Sequence, residues 1–106
     1  MNDYTKATDI PPEVKQLVWE RDRKRCIICG STEAMPNAHV VRRSHGGQGK
    51  ETNIVTLCRR CHDLYDNGSG AKHDQIARYI RAYMVYLYGP TWSEKGQIYS
   101  KKSTER

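Results

Sequence analysis

Four cysteines stand in two matched pairs, Cys26-Ile27-Ile28-Cys29 and Cys58-Arg59-Arg60-Cys61, separated by residues 30–57. Each C-x-x-C turn can aim two thiolates at one ion, and two such turns complete the tetrahedral set that zinc favours. Three other uses of the cysteines fit less well. Disulfides staple small exported domains, yet the opening Met1-Asn2-Asp3-Tyr4-Thr5-Lys6 begins no apolar run, so no signal peptide is expected. Cys58-Arg59-Arg60-Cys61-His62 also fits the c-type haem attachment pattern, which would leave Cys26 and Cys29 idle and again require export. A thioredoxin-like redox pair wants one C-x-x-C beside a βαβ unit, and no such unit is apparent. The expectation is one structural zinc ion on Cys26, Cys29, Cys58 and Cys61, in a reducing cytoplasm.

Other groups able to do chemistry lie around these pairs. His39 and Asn53 fall between them, His62 follows the last cysteine directly, and Asp66 lies four residues further on. An imidazole with a pKa near about 6.5 can accept a proton around neutral pH. An imidazole and a carboxylate four residues apart share one face of a helix. Taken singly, each has a plainer reading: His39 between Ala38 and Val40 is a core histidine, Asn53 a turn residue, Asp66 an acid near a helix end. Their order between and after the two cysteine turns is what carries information.

Charge and composition bound the partners. Lys and Arg number 18 against 12 Asp and Glu, for a net charge of +6. The cations cluster as Arg21, Arg23, Lys24 and Arg25, as Arg42 and Arg43, and as Arg59 and Arg60, which fits a polyanionic partner. Only 37% of residues are hydrophobic and phenylalanine is absent. A chain of 106 residues with so thin a core is expected to form one domain, residues 1–106, that needs a metal to fold. No apolar run reaches the roughly 18 residues of a membrane span.

The elements that must position these groups can be read from period and punctuation. Residues 1–9 are polar and expected to fray. Asp9-Ile10-Pro11-Pro12-Glu13 resembles a helix start, and Val14, Leu17 and Val18 keep the helical period to about residue 22. Ala38-His39-Val40-Val41 and Ile54-Val55-Thr56-Leu57 are β-prone runs. Between them residues 42–52 carry Gly46, Gly47 and Gly49 and read as a flexible loop. A helix is expected from Cys58 to about Asp66, stopped by Asn67-Gly68-Ser69-Gly70, and another from about His73 to Tyr88, with Ile76, Ile80, Tyr83, Met84 and Leu87 on one core-facing side. His73 itself reads as surface, and the tail from about residue 101 as disordered.

The ordered set Cys26-x-x-Cys29, Ala38-His39-Val40-Val41-Arg42-Arg43-Ser44-His45-Gly46-Gly47 and Asn53-Ile54-Val55-Thr56-Leu57-Cys58-Arg59-Arg60-Cys61-His62 resembles the zinc-containing HNH endonucleases of the ββα-metal type, including small prophage-encoded proteins. The resemblance covers about residues 10–66. It implies an α+β fold: a zinc-stabilised, treble-clef-like ββα core with flanking N- and C-terminal helices. It also implies a metal-dependent endonuclease acting on DNA. His39 would be the general base, Asn53 would fold the loop back to hold that imidazole, and His62 would hold a divalent cation against the scissile phosphate. Many members carry a second metal ligand directly before the base; here that position is Ala38. Asp66 is the first candidate substitute and His45 the second. Magnesium, manganese, nickel or a second zinc would each be chemically possible. Arg42, Arg43 and Lys50 are candidate phosphate contacts. With no separate DNA-reading domain, weak sequence preference is expected, targeted by a partner such as a phage packaging protein. The location implied is the cytoplasm of a bacterium or phage-infected host. The competing class is a non-catalytic zinc module with a degenerate HNH fold, which the alanine at position 38 favours.

Overall fold

The computed structural model describes residues 3–99. In chain order these form α1 (Asp3–Thr8), α2 (Pro12–Arg21), β1 (Ala34–His39), β2 (Ile54–Cys58), α3 (Arg59–Asp66) and α4 (Gly70–Tyr88). Short 3-10 turns lie at Arg43–His45, Glu51–Asn53 and Lys95–Gln97. The tail expected to be disordered from about residue 101 lies outside the described residues.

β2 is buried at all five positions, which suits its run of β-branched and aliphatic side chains. It pairs antiparallel with β1, Ala34 opposite Cys58 and His39 opposite Ile54. The register slips between Met35 and Ala38, where Pro36 and Asn37 face Thr56 alone. Proline cannot donate to a ladder, so a bulge is where it is tolerated. The strand thus spans Ala34–His39, displaced from the β-prone run at 38–41, because pairing with the buried β2 recruits residues of low intrinsic propensity. This two-stranded sheet with its flanking helices is the α+β arrangement expected of an HNH-like core. α4 seals one face of it, placing Ile76, Ile80 and Met84 against Ala38, Val40, Val55 and Leu57.

Three local expectations require correction. Residues 3–8 are helical rather than frayed, and Thr8 is fully buried. The glycine-rich segment is pinned, not flexible. Gly47 bridges to Ile98, and Gly49 N–H donates to the Ala7 carbonyl at 2.9 Å. A Cβ on Gly47 would lie 1.7 Å from the Val41 oxygen, and one on Gly49 1.8 Å from the Asp9 oxygen. These glycines permit close backbone approach, which in sequence looks the same as looseness. His73 is not simply surface: its Nδ1–H donates to the Tyr65 carbonyl at 2.9 Å and its ring stacks on Tyr65 at 5.6 Å. That contact holds the first turn of α4, which begins at Gly70, ahead of the expected start.

A buried charge network ties the layers together. Arg21 Nε and Nη2 donate to the two oxygens of Asp22, at 2.8 and 3.0 Å. Asp22 also accepts from Tyr83 Oη at 2.6 Å and from the Thr56 N–H at 2.8 Å. Arg21 donates to the carbonyls of Ile54 and Glu51, at 2.7 and 2.8 Å. Together with the Ile27 N–H, which reaches the Thr56 oxygen at 3.1 Å, these bonds satisfy backbone groups of β2 where a third strand would otherwise be needed. Asp22→Ala should therefore destabilise the protein by roughly 3–5 kcal/mol, since it strands a largely buried guanidinium. Tyr83→Phe should cost about 1.5–3 kcal/mol, the worth of one hydrogen bond to a charged group. Urea unfolding of the metal-loaded protein measures both; an Asp22→Ala loss below about 1 kcal/mol would contradict the network's role.

Candidate metal centre and cleft

The four cysteine sulfurs lie within 4.8 Å of one another, with Cys26, Cys58 and Cys61 buried and Cys29 exposed. Two turns build the cluster. In the first, Gly30 at φ 80° closes the knuckle, with its N–H on the Cys26 carbonyl at 2.9 Å. In the second, Cys58 ends β2 and caps α3, its Sγ accepting from the Cys61 N–H at 3.4 Å. Cys29 Sγ and Cys58 Sγ are 3.6 Å apart. A tetrahedron with metal–sulfur bonds of about 2.3 Å has edges of about 3.8 Å, so the spacing suits thiolates around one ion such as zinc.

The electrostatics make the same point. Burial pushes the Cys61 thiol up, and the adjacent Cys58 and Cys26 add to it. Burial also opposes ionisation of Cys26, but backbone N–H groups at Cys29, Cys58 and Ile28 outweigh it and bring that thiol down to about 7. Four ionised sulfurs at this separation repel strongly, and a cation between them removes the conflict.

On the far side of the sheet ends a cleft of about 720 Å³ is lined by His39, Arg42, Arg43, His62 and Asp66, together with Asp9, Lys15 and Asn37. β1 delivers His39 at its last position, half-buried, with Nε2 2.9 Å from the Thr8 carbonyl. Burial holds the His39 pKa below its usual value, and the nearby Arg43 and His62 act in the same sense. The Thr8 carbonyl and Asp66 oppose this without reversing it. Asn53, fully buried, pairs its side-chain amide with Val41 as a strand would: Oδ1 accepts from Val41 N at 2.8 Å, and Nδ2 donates to Val41 O at 3.2 Å and Gln48 O at 2.8 Å. The loop therefore folds back directly behind His39.

His62 and Asp66 share a face of α3, with Nε2 and Oδ2 3.2 Å apart and both side chains partly exposed. Adjacent ligands of an octahedral ion at about 2.1 Å lie about 3.0 Å apart, so this pair can hold a divalent cation together with water. Among the described residues no further group of three or more His, Cys, Asp or Glu side chains gathers like the four thiols. Ala38 is fully buried and offers no ligand, and His45 is exposed in the 3-10 turn after β1.

The three basic candidates separate. Arg42 and Arg43 line the cleft; Arg42 donates to the Asp66 carbonyl at 3.1 Å, and Arg43 pairs with Asp9. Lys50 is not part of that lining and donates to the Gly96 carbonyl at 3.0 Å. Lys15, Asn37 and Asp9 were not singled out from sequence as cleft residues. Asp9 and Lys15 read there only as parts of a helix start and a helix, and Asn37 enters through the bulge beside Pro36.

Residues 26–76 match the family model of HNH endonucleases. Over this segment, 51 of the 106 residues, the chain is similar to the HNH endonuclease family. The match takes in both cysteine turns, His39, Asn53, His62 and Asp66, and leaves α1, α2 and most of α4 outside. Comparison with curated proteins and with solved structures gave no match. At the level of the family the activity is that of a nuclease, and nucleic acid is its substrate class. No helix among the described residues is long and apolar enough to cross a membrane.

An HNH core stapled in this way should carry one tightly held metal ion per chain. Elemental analysis should find about one zinc equivalent, and strong chelation should collapse the circular-dichroism signal of the helices. A metal-free protein with an unchanged thermal melt would contradict the clamp.

Proposed function

We propose that this chain is a metal-dependent endonuclease that hydrolyses DNA phosphodiester bonds with little sequence preference of its own. The observation that carries this reading is the convergence in one cleft of His39, the His62–Asp66 pair and the guanidinium groups of Arg42 and Arg43.

Each residue has a role that follows from its surroundings. A carbonyl can only accept, so Nε2 of His39 carries the proton and Nδ1 is left with the lone pair. With its pKa held down, the ring is neutral near pH 7 and takes a proton from the attacking water at Nδ1. Asn53 keeps the strand end and loop in register behind the ring. Arg42 and Arg43 offset charge building on the phosphate. His62 and Asp66 would hold a divalent cation, and their donor set suits magnesium, manganese, nickel or zinc. Such a cation would supply Lewis acidity for the hydrolysis. Lys50 serves the fold at Gly96 more than the substrate.

Support for a targeting partner comes from composition: one basic cleft grips backbone phosphates but reads no bases. The resemblance to small prophage-encoded proteins favours phage DNA metabolism, with a packaging protein as the partner and the cytoplasm of a bacterial host as the location. One observation favours a second reading. Ala38 removes a ligand that many HNH sites use, and a non-catalytic zinc module that only binds nucleic acid would tolerate that loss.

Single-turnover cleavage of a short duplex separates the two. His39→Ala should lose on the order of a hundredfold to ten-thousandfold in rate, with metal content and DNA affinity retained. His62→Ala and Asp66→Ala should raise the divalent-cation concentration needed for half-maximal rate. An unchanged His39→Ala rate would sink the assignment of the base.

The pH dependence has a definite sign. A depressed histidine pKa favours the neutral ring, so the stability it confers is present above about 6.5 and is lost as pH falls through the folded value. The acid limb of the cleavage profile should accordingly have its midpoint below about 6.5 and vanish in His39→Ala. An acid midpoint above that value would contradict the desolvated site. Binding of unrelated duplexes should weaken steeply and alike as salt rises; salt-insensitive binding would exclude a phosphate-reading cleft.

A further inference from the structure

The acceptor that fixes His39 comes from outside the segment matched to the HNH family. It is the backbone carbonyl of Thr8, the last residue of α1, 2.9 Å from His39 Nε2. We propose that the N-terminal segment, residues 3–9, is a positioning element of the candidate active site, and that the Thr8 carbonyl selects the tautomer in which His39 presents Nδ1 as the base. This rests on the nuclease reading for its catalytic consequence, while the tautomer itself can be observed without any cleavage.

The segment is held too firmly for an incidental contact. Thr8 is fully buried, and its hydroxyl donates to the Tyr4 carbonyl at 3.0 Å. The same hydroxyl accepts from Arg43 Nη2 at 3.4 Å, and Arg43 also pairs with Asp9. On the other side Gly49 N–H holds the Ala7 carbonyl at 2.9 Å, and the Gly49 Cα sits so close that a Cβ would lie 1.8 Å from the Asp9 oxygen. The glycine-rich loop therefore grips the backbone on either side of Thr8. Asn53 anchors that same loop through the Gln48 carbonyl at 2.8 Å. One continuous chain of contacts runs from Asn53 through Gln48 and Gly49 to Thr8 and so to the ring of His39.

A nitrogen facing a carbonyl at hydrogen-bond distance must carry the proton. Without that acceptor both tautomers of the neutral ring are open, and only one leaves Nδ1 free to take a proton. A positioning error of about 1 Å can cost on the order of a hundredfold in rate. Gly49→Ala perturbs the device at a distance, because the added methyl must push the Asp9 backbone away.

The test uses the full chain loaded with zinc. Ring 15N spectra of the parent should show His39 as a single neutral tautomer, Nε2 protonated and Nδ1 bare. Gly49→Ala should turn this into an averaged pair of ring signals, lower the single-turnover rate by roughly tenfold to a hundredfold, and leave zinc content and DNA affinity unchanged. Thr8→Val keeps the carbonyl and removes only the hydroxyl, so it should keep the parent tautomer. A parent spectrum with Nδ1 protonated, or with both tautomers exchanging, overturns the proposal even if Gly49→Ala fails to fold. A folded Gly49→Ala protein with the parent tautomer and the parent rate overturns it too. A parent with the Nε2-protonated ring that cuts no DNA supports the positioning and refutes the nuclease reading instead.

Discussion

Four sulfurs within 4.8 Å of one another would repel strongly once ionised, and one cation held between them would resolve that conflict for the whole fold. Cys26 and Cys29 stand before β1, Cys58 ends β2 and Cys61 follows it, so a single ion held by the four would close the sheet at both ends of the intervening chain. The apolar core is small: Ala38, Val55 and Leu57 from the strands, Val40 just after β1, and Ile76, Ile80 and Met84 from α4. Without the ion, burial and neighbouring thiols act against ionisation of Cys61. With it, the same proximity becomes folding energy. α3 then starts on Cys58, which fixes the direction in which His62 and Asp66 project.

A second constraint compensates for the thin core. Arg21 and Asp22 satisfy the backbone of β2 and reach Tyr83 and Tyr88 on α4. Burying an ion pair is seldom favourable in itself. Here each charged group has several bonds, and the pair replaces a missing strand. Sequence inspection placed Arg21 in a basic cluster suited to a polyanion, but in the structure its guanidinium faces inward. Clustering along the chain therefore overstates the charge available to a ligand.

The contrast between what was legible and what was not has a physical origin. The cysteine turns, β2, α2 and α3 follow local rules: ligand spacing, β-branched runs, a proline-rich helix start. The N-terminal helix, the pinned glycines and the half-buried His73 do not. Each depends on a partner far away in sequence: Gly49 on Ala7 and Asp9, Gly47 on Ile98. His73 depends on the packing of Tyr65. Within the cleft, His39, His62 and Asp66 were visible as types in order, whereas Asp9, Lys15 and Asn37 join its lining only through tertiary packing.

These constraints support one proposal, that the cleft between the start of α2, the end of β1 and α3 hydrolyses DNA with the aid of a divalent cation. The most direct measurement is relaxation of supercoiled plasmid by the zinc-loaded parent protein, with magnesium, manganese or nickel added, against a matched sample in EDTA at a concentration that leaves the structural zinc bound. The account predicts nicked or linear product with at least one of the cations and none with EDTA. Intact supercoiled plasmid under every cation, from protein shown to be folded and zinc-loaded, would contradict it.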